Sequence, residues 1–113
     1  MKKNVKIFLI HILDSINLIE EYIKGKSKSD FVKSKQLQDS VIRRIQIIGE
    51  AIKNIPNDIK NNYNQIPWEE ITGMRDILIH QYFGVDLGLT WQVIEKDLPK
   101  LKRQIFDIRK RMD

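Results

Sequence analysis

The chain contains no cysteine, which excludes disulfides and thiolate metal sites. That absence fits a reducing compartment, and a cytoplasmic location is the expectation. Histidine is scarce too. Two imidazoles, His11 and His80, without thiolates make a poor zinc site, so no metal is expected. No stretch approaches the roughly 18 apolar residues of a membrane span, so no membrane association is expected. The opening MKKN resembles the basic start of a secretory leader, but His11 and Asp14 break the apolar run behind it. No small-residue cleavage site follows, and no leader is expected. A glycine-rich phosphate loop, a Ser–His–Asp set and a recognisable carboxylate pair are all missing. No cofactor is expected. Strand signals are almost absent.

What the chain does have is charge and helical spacing. Its 113 residues suit one domain, residues 1–113. A chain this short tends to be marginally stable alone, and dimerisation would help it. Lysine and arginine number 20 against 15 aspartates and glutamates, a formal charge of +5. Much of the excess lies between Lys24 and Arg44, where Lys24, Lys26, Lys28, Lys33, Lys35, Arg43 and Arg44 face only Asp30 and Asp39. A second basic cluster comprises Lys100, Lys102, Arg103, Arg109, Lys110 and Arg111. An anionic partner follows from this distribution, and nucleic acid is the commonest one.

Residues 4–24 carry apolar side chains at helical spacing, from Val5 through Phe8, Leu9, Ile12, Ile16 and Ile19 to Ile23. Ile7, Ile10, Leu13 and Leu18 widen the stripe, which predicts more than one packing neighbour. His11 lies on this wide stripe and reads as a buried imidazole. "GKSKSD", residues 25–30, predicts a basic loop with Asp30 as the next N-cap. A helix over about 31–55 follows. Leu37, Val41, Ile45, Ile48, Ile52 and Ile55 form a narrow seam in steps of four and three. On a wheel of ~100° per residue, Arg44 falls about 60° from the seam's centre and Arg43 lies opposite it. Gly49 in mid-helix fits either a close helix crossing or a tolerated surface glycine. Pro56 stops the helix. Residues 57–65 predict a polar connector with room for one helical turn, and "IPWEEI" the first turn of a short helix. Gly73 predicts a hinge, and "FGVDLG" a turn. From Trp91 to Met112 the spacing is helical again, interrupted at Pro99. Asp97 is positioned to cap a restart, so the segment is one kinked helix or two. The fold class is all-α, a bundle of four to five helices.

Inside "GMRDILIHQYFGVD", residues 73–86, a cation and an imidazole interrupt an apolar run. Arg75 stays cationic and forks onto phosphate oxygens. His80 titrates near neutrality and can take or give a proton. These are the parts needed to cleave RNA without metal. A base removes the ribose 2′-OH proton, the 2′-oxygen attacks phosphorus, and an acid protonates the leaving 5′-oxygen. A cation steadies the transition state. On an ideal helix Arg75 and His80 point about 140° apart, while Arg75 and Tyr82 project within about 20° of each other. Convergence therefore requires a distorted helix, a helix end near His80, an Arg75 that reaches around, or a two-fold dimer in which motifs face each other. The dimer also supplies two histidines for acid and base. The plainer reading is a helix-end His80, with Arg75 paired to Asp76 or Glu70.

The stretch "RDILIHQY" reads R-x4-H-x-Y and closely resembles the signature of the HEPN-domain family, specifically the HepT-like toxins. "VIRRIQIIGEAIKNIP" (41–56), "IPWEEITGMRD" (66–76), "HQYFGVD" (80–86) and "W…DLPKLK" (91–102) resemble that family's blocks in the same order. The resemblance implies an α-helical HEPN bundle that forms a homodimer. It implies a metal-independent endoribonuclease toxin with Arg75 and His80 at the dimer cleft. Asp76 stands where the wider superfamily often has asparagine; its charge would weaken phosphate binding, or it would orient Arg75 or His80. The resemblance further implies a partner, the minimal nucleotidyltransferase antitoxin MntA, which transfers AMP to the motif tyrosine, here Tyr82. An added AMP brings charge and bulk that compete with RNA for Arg75. Arg43, Arg44, Lys33 and Lys35 are candidates for RNA backbone contacts. The alternative reading is a non-catalytic helical module that docks a nucleotidyltransferase and binds nucleotide or RNA.

Overall fold

A computed structural model of the chain describes residues 2–73 and 86–112, with side chains from Val5 onward. Helix α1 spans Lys2–Ile23. It packs against α3 (Lys35–Lys53) and against α7 (Leu98–Met112). Two neighbours account for its wide apolar stripe. Leu9, Ile12, Ile16 and Ile19 are all but inaccessible, and Leu13 is buried as well. Each such side chain contributes on the order of 1.5–3 kcal/mol of burial. The seam on α3 also faces inward: Val41, Ile45, Ile48 and Ile52 are buried, and so is Ile55 just beyond the helix. Gly49 is buried with them, which favours the close crossing over a surface glycine. His11 corrects the expectation of a buried imidazole. It is exposed, with its ring edge-on to Phe8 at 6.5 Å between centroids. The two neighbours of α1 cover most of its circumference, but not the side that carries His11.

The loop predicted over 25–30 is shorter than expected. Gly25 turns the chain at φ 73°, a left-handed conformation that glycine adopts without steric cost. Helix α2 then begins at once, over Lys28–Lys33. Its N-cap is Ser27, not Asp30. The Ser27 hydroxyl accepts from the Asp30 N–H at 3.1 Å, and the Asp30 carboxylate accepts from the Ser27 N–H at 2.9 Å. This reciprocal pair is a capping box, with aspartate in the role glutamate usually fills. The helix predicted over 31–55 is likewise split. Ser34 is extended, at φ −109° and ψ 104°, and caps α3 by accepting from the Leu37 N–H. Gln38 closes the gap from the other side, donating its amide to the carbonyls of Phe31 and Val32 at 3.0 and 2.9 Å. On one straight helix Phe31 would project about 120° from Leu37. The break at Ser34 instead lets Phe31 bury fully and meet the Trp91 ring at 5.5 Å.

Pro56 ends one element by opening another. It is the N-cap of α4 (Asn57–Asn62), so the polar connector is mostly a short helix. Residues 68–73 are helical, the described part of α5, with the Pro67 carbonyl accepting from the Ile71 N–H at 3.2 Å. Gly73 is still helical, and the hinge predicted there falls at the edge of the described residues. The turn predicted over 83–88 is also revised in its described part. Asp86 caps α6 (Leu87–Gln92) by accepting from the Leu89 N–H at 3.0 Å, so Leu87 and Gly88 are helical.

From α6 the helix continues through a π-helical turn, Val93–Asp97, into α7. There is no restart at Asp97, which lies inside that turn. The Leu98 N–H reaches back five residues to the Val93 carbonyl. Proline in a regular α-helix clashes with the carbonyl four residues earlier. Widening the helix ahead of Pro99 relieves that clash and explains an uninterrupted element. Among the described residues the fold is all helical, with no strand, as the all-α expectation requires.

Candidate functional site

Arg75, Asp76, His80 and Tyr82 all lie outside the described residues. The flanks of their segment are anchored. On one side Trp68 is buried and donates its indole N–H to the Tyr63 carbonyl at 3.1 Å, and the Thr72 hydroxyl donates to the Trp68 carbonyl at 3.0 Å. On the other, Thr90 is buried and returns both its N–H and its hydroxyl to the Asp86 carbonyl, each at 3.0 Å. Open space lies beside the first anchor. A cavity of about 370 Å³ is lined by Asn57, Lys60, Asn61 and Asn64 against Pro67 and Trp68. Another, about 330 Å³, lies between Glu70 and Ile71 and the Lys100 and Gln104 side of α7.

The four candidate backbone-binding cations fall into different settings. Arg43 is exposed on α3, and Arg44 is half-buried beside the seam, as their wheel positions predict. Lys35 is exposed and lies 3.7 Å from Asp39 one turn along the same helix. Such exposed pairs contribute well under 1 kcal/mol and leave the ammonium available. Lys33 stands apart from these three. It lines an open groove of about 500 Å³ where the end of α1 meets α2 and the start of α3. Tyr22 and Lys26 line the same groove. Tyr22 was not singled out from sequence as a binding residue, whereas Lys26 belongs to the basic run over Lys24–Lys35 that was read as a candidate for backbone contacts. The usable signal was an aromatic residue two positions ahead of that run.

Asp30 shares the groove, and its carboxyl is held below the usual value of 3.8. The backbone N–H of Ser27 is the main cause, followed by the Ser27 side chain; partial desolvation opposes, and Lys26 and Lys33 add smaller favourable contributions. The carboxylate therefore remains ionised while it caps the start of α2. Among the described residues no three His, Cys, Asp or Glu side chains cluster to hold a metal ion. Nor, among them, is any helix long and apolar enough to cross a membrane.

A family model described as "Ribonuclease HepT-like" matches residues 12–108. A protein of Methanocaldococcus jannaschii named "Gamma-glutamylcyclotransferase and putative RNase" is 63% identical over 113 residues, which is 100% of this chain and 51% of that one. The chain thus spans about half the length of this relative. Others match nearly end to end. "Probable ribonuclease HepT" of Thermococcus cleftensis is 46% identical over 97% of this chain and 100% of its own. A "Putative RNase" of Caldanaerobacter subterraneus is 42% identical over 94% of this chain and 95% of its own. No solved structure matches the chain.

Proposed function

Since this chain belongs to the HepT-like ribonuclease family, whose model spans residues 12–108, we propose that it is a metal-independent endoribonuclease acting through Arg75 and His80. The observation that carries the reading is the R-x4-H-x-Y sequence at residues 75–82, inside the matched span. His80 exchanges protons with the ribose 2′-OH and the leaving 5′-oxygen, and Arg75 offsets charge on the phosphorus centre. The 2′-oxygen forms a bond to phosphorus as the bond to the 5′-oxygen breaks, leaving a cyclic phosphate and a free 5′-hydroxyl. Residues 1–113 form one HEPN domain, and two copies pair so that each contributes one histidine to a shared cleft. Asp76 orients one of the two catalytic side chains.

In this reading the protein is a toxin that acts in the cytoplasm, restrained by a nucleotidyltransferase antitoxin of the MntA kind that transfers AMP to Tyr82. The added phosphate and nucleotide exclude RNA from Arg75. Support for the nuclease comes from relatives named as ribonucleases over nearly their full lengths. Purified full chain is expected to cut RNA in excess EDTA, and His80→Ala to lower the rate by at least 100-fold without loss of helicity. Equal cleavage by a folded His80→Ala protein would overturn the assignment. Binding without cleavage by the unmodified protein would favour a docking module instead.

A further inference from the structure

The basic run between Lys24 and Lys35 is not a uniform cationic surface. Lys28 leans toward α6, its Nζ 3.5 Å from where a Cβ on Gly88 would stand. Lys35 points along α3 toward Asp39. Lys26 and Lys33 instead both line the groove, together with Asp30. Asp30 stays anionic there, its carboxylate held by the Ser27 N–H at 2.9 Å, and the two lysines leave the groove lining with a net positive charge. Ser34 also lines the groove. Its oxygen accepts from the Leu37 N–H, which leaves the hydroxyl proton free to donate. The groove's inner side carries Tyr22, half-buried and packed against the core. An aromatic ring and two lysines lining one groove are the combination that holds unpaired nucleotides: bases stack on the ring and phosphates meet the lysines. A volume of about 500 Å³ exceeds what a lone phosphate fills.

We infer that this groove binds a single-stranded segment of RNA, with phosphates on Lys26 and Lys33 and a base against Tyr22. The lining residues come from α1, the turn after it, α2 and the start of α3. It positions the strand and performs no chemistry. The inference rests on the proposed function only in taking RNA as the ligand.

The test uses the full chain and a mixed-sequence oligonucleotide with 2′-O-methyl riboses, which cannot be cut because the attacking hydroxyl is blocked. Binding is measured across a range of salt concentrations. Each lost phosphate contact lowers the salt slope by ~0.7 for a single strand, so Lys26→Ala/Lys33→Ala should lower it by about 1.4. Lys53→Ala/Lys96→Ala removes the same charge from exposed positions outside both basic clusters and should leave the slope unchanged. Tyr22→Leu keeps apolar packing but not stacking, and should weaken binding about fivefold or more, while Tyr22→Phe should not. An unchanged Kd and slope in the groove double variant would overturn the inference. So would an equal loss in the control double variant, which would reduce the effect to net charge. Loss of affinity for an acidic protein partner without loss for RNA would overturn it too, and would make the groove a protein-docking surface. Cleavage of ordinary RNA by the same proteins separates the two readings. Groove-dependent binding with no cleavage would sink the nuclease and leave the groove. Cleavage with groove-independent binding would do the reverse.

Discussion

Ser27 and Asp30 are one device made of two side chains. Each satisfies a backbone N–H of the other at the start of α2. Ser27→Ala is expected to cost about 1 kcal/mol, read by urea denaturation. The carboxyl of Asp30 titrates lower in the folded chain than its ordinary 3.8, so folding favours its ionised form. The resulting stabilisation is complete above the ordinary value and disappears as pH falls through the lower, folded one. Asp30→Asn should therefore melt below the unmodified protein at neutral pH. The gap between their melting temperatures should close in strong acid. A constant gap across that range would show that the charge is irrelevant to the cap.

At the scale of elements, α2 is too short to stand by propensity alone and depends on what it buries. Phe31 is its one buried side chain, against Trp91 of α6. Phe31→Ala is expected to cost about 3–5 kcal/mol in chemical denaturation. Because α2 and α3 shape the groove, the same variant should also lose RNA affinity, with Lys26 and Lys33 intact. A cost below about 1 kcal/mol would mean that α2 is held by its cap and by Gln38 instead. The π-helical turn ahead of Pro99 serves a different end. It keeps Trp91, Ile94, Leu98, Leu101, Ile105 and Ile108 buried along one uninterrupted element.

For the whole molecule, α1 is the hub, and apolar contact with α3 and α7 supplies most of the cohesion. Lys102 reaches Glu20 at 2.6 Å, but both side chains are more than a third exposed, so the pair is worth at most about 1 kcal/mol and weakens with salt. Ile7, Val32, Leu89 and Phe106 are large apolar residues left substantially exposed. The proposed homodimer makes a prediction at this scale. Its melting temperature should rise with protein concentration, and sedimentation should give twice the 13.4 kDa chain mass. A monomer at every concentration, still active as a nuclease, would require both acid and base from one chain.

Helical spacing alone determined the class of fold and the inward faces of α1, α3 and α7, because burial requires apolar residues every three or four positions. It also placed Arg43 outward and Arg44 on the flank. The R-x4-H-x-Y residues were legible as a pattern of residue types, since proton transfer and phosphate charge restrict which side chains can serve. Local capping was only half legible. Ser27 and Asp30 are both good cap residues, and Ser34 lay inside a stretch whose seam read as continuous. Phe31 decided the matter by needing Trp91, a partner 60 positions away that no local window contains. The groove shows the same limit. Tyr22, Lys26 and Lys33 belong to different elements, and only the turn at Gly25 and the break at Ser34 bring them to one surface. Spacing reports which way each side chain leaves its own helix, whereas a site between helices depends on how those helices are packed together.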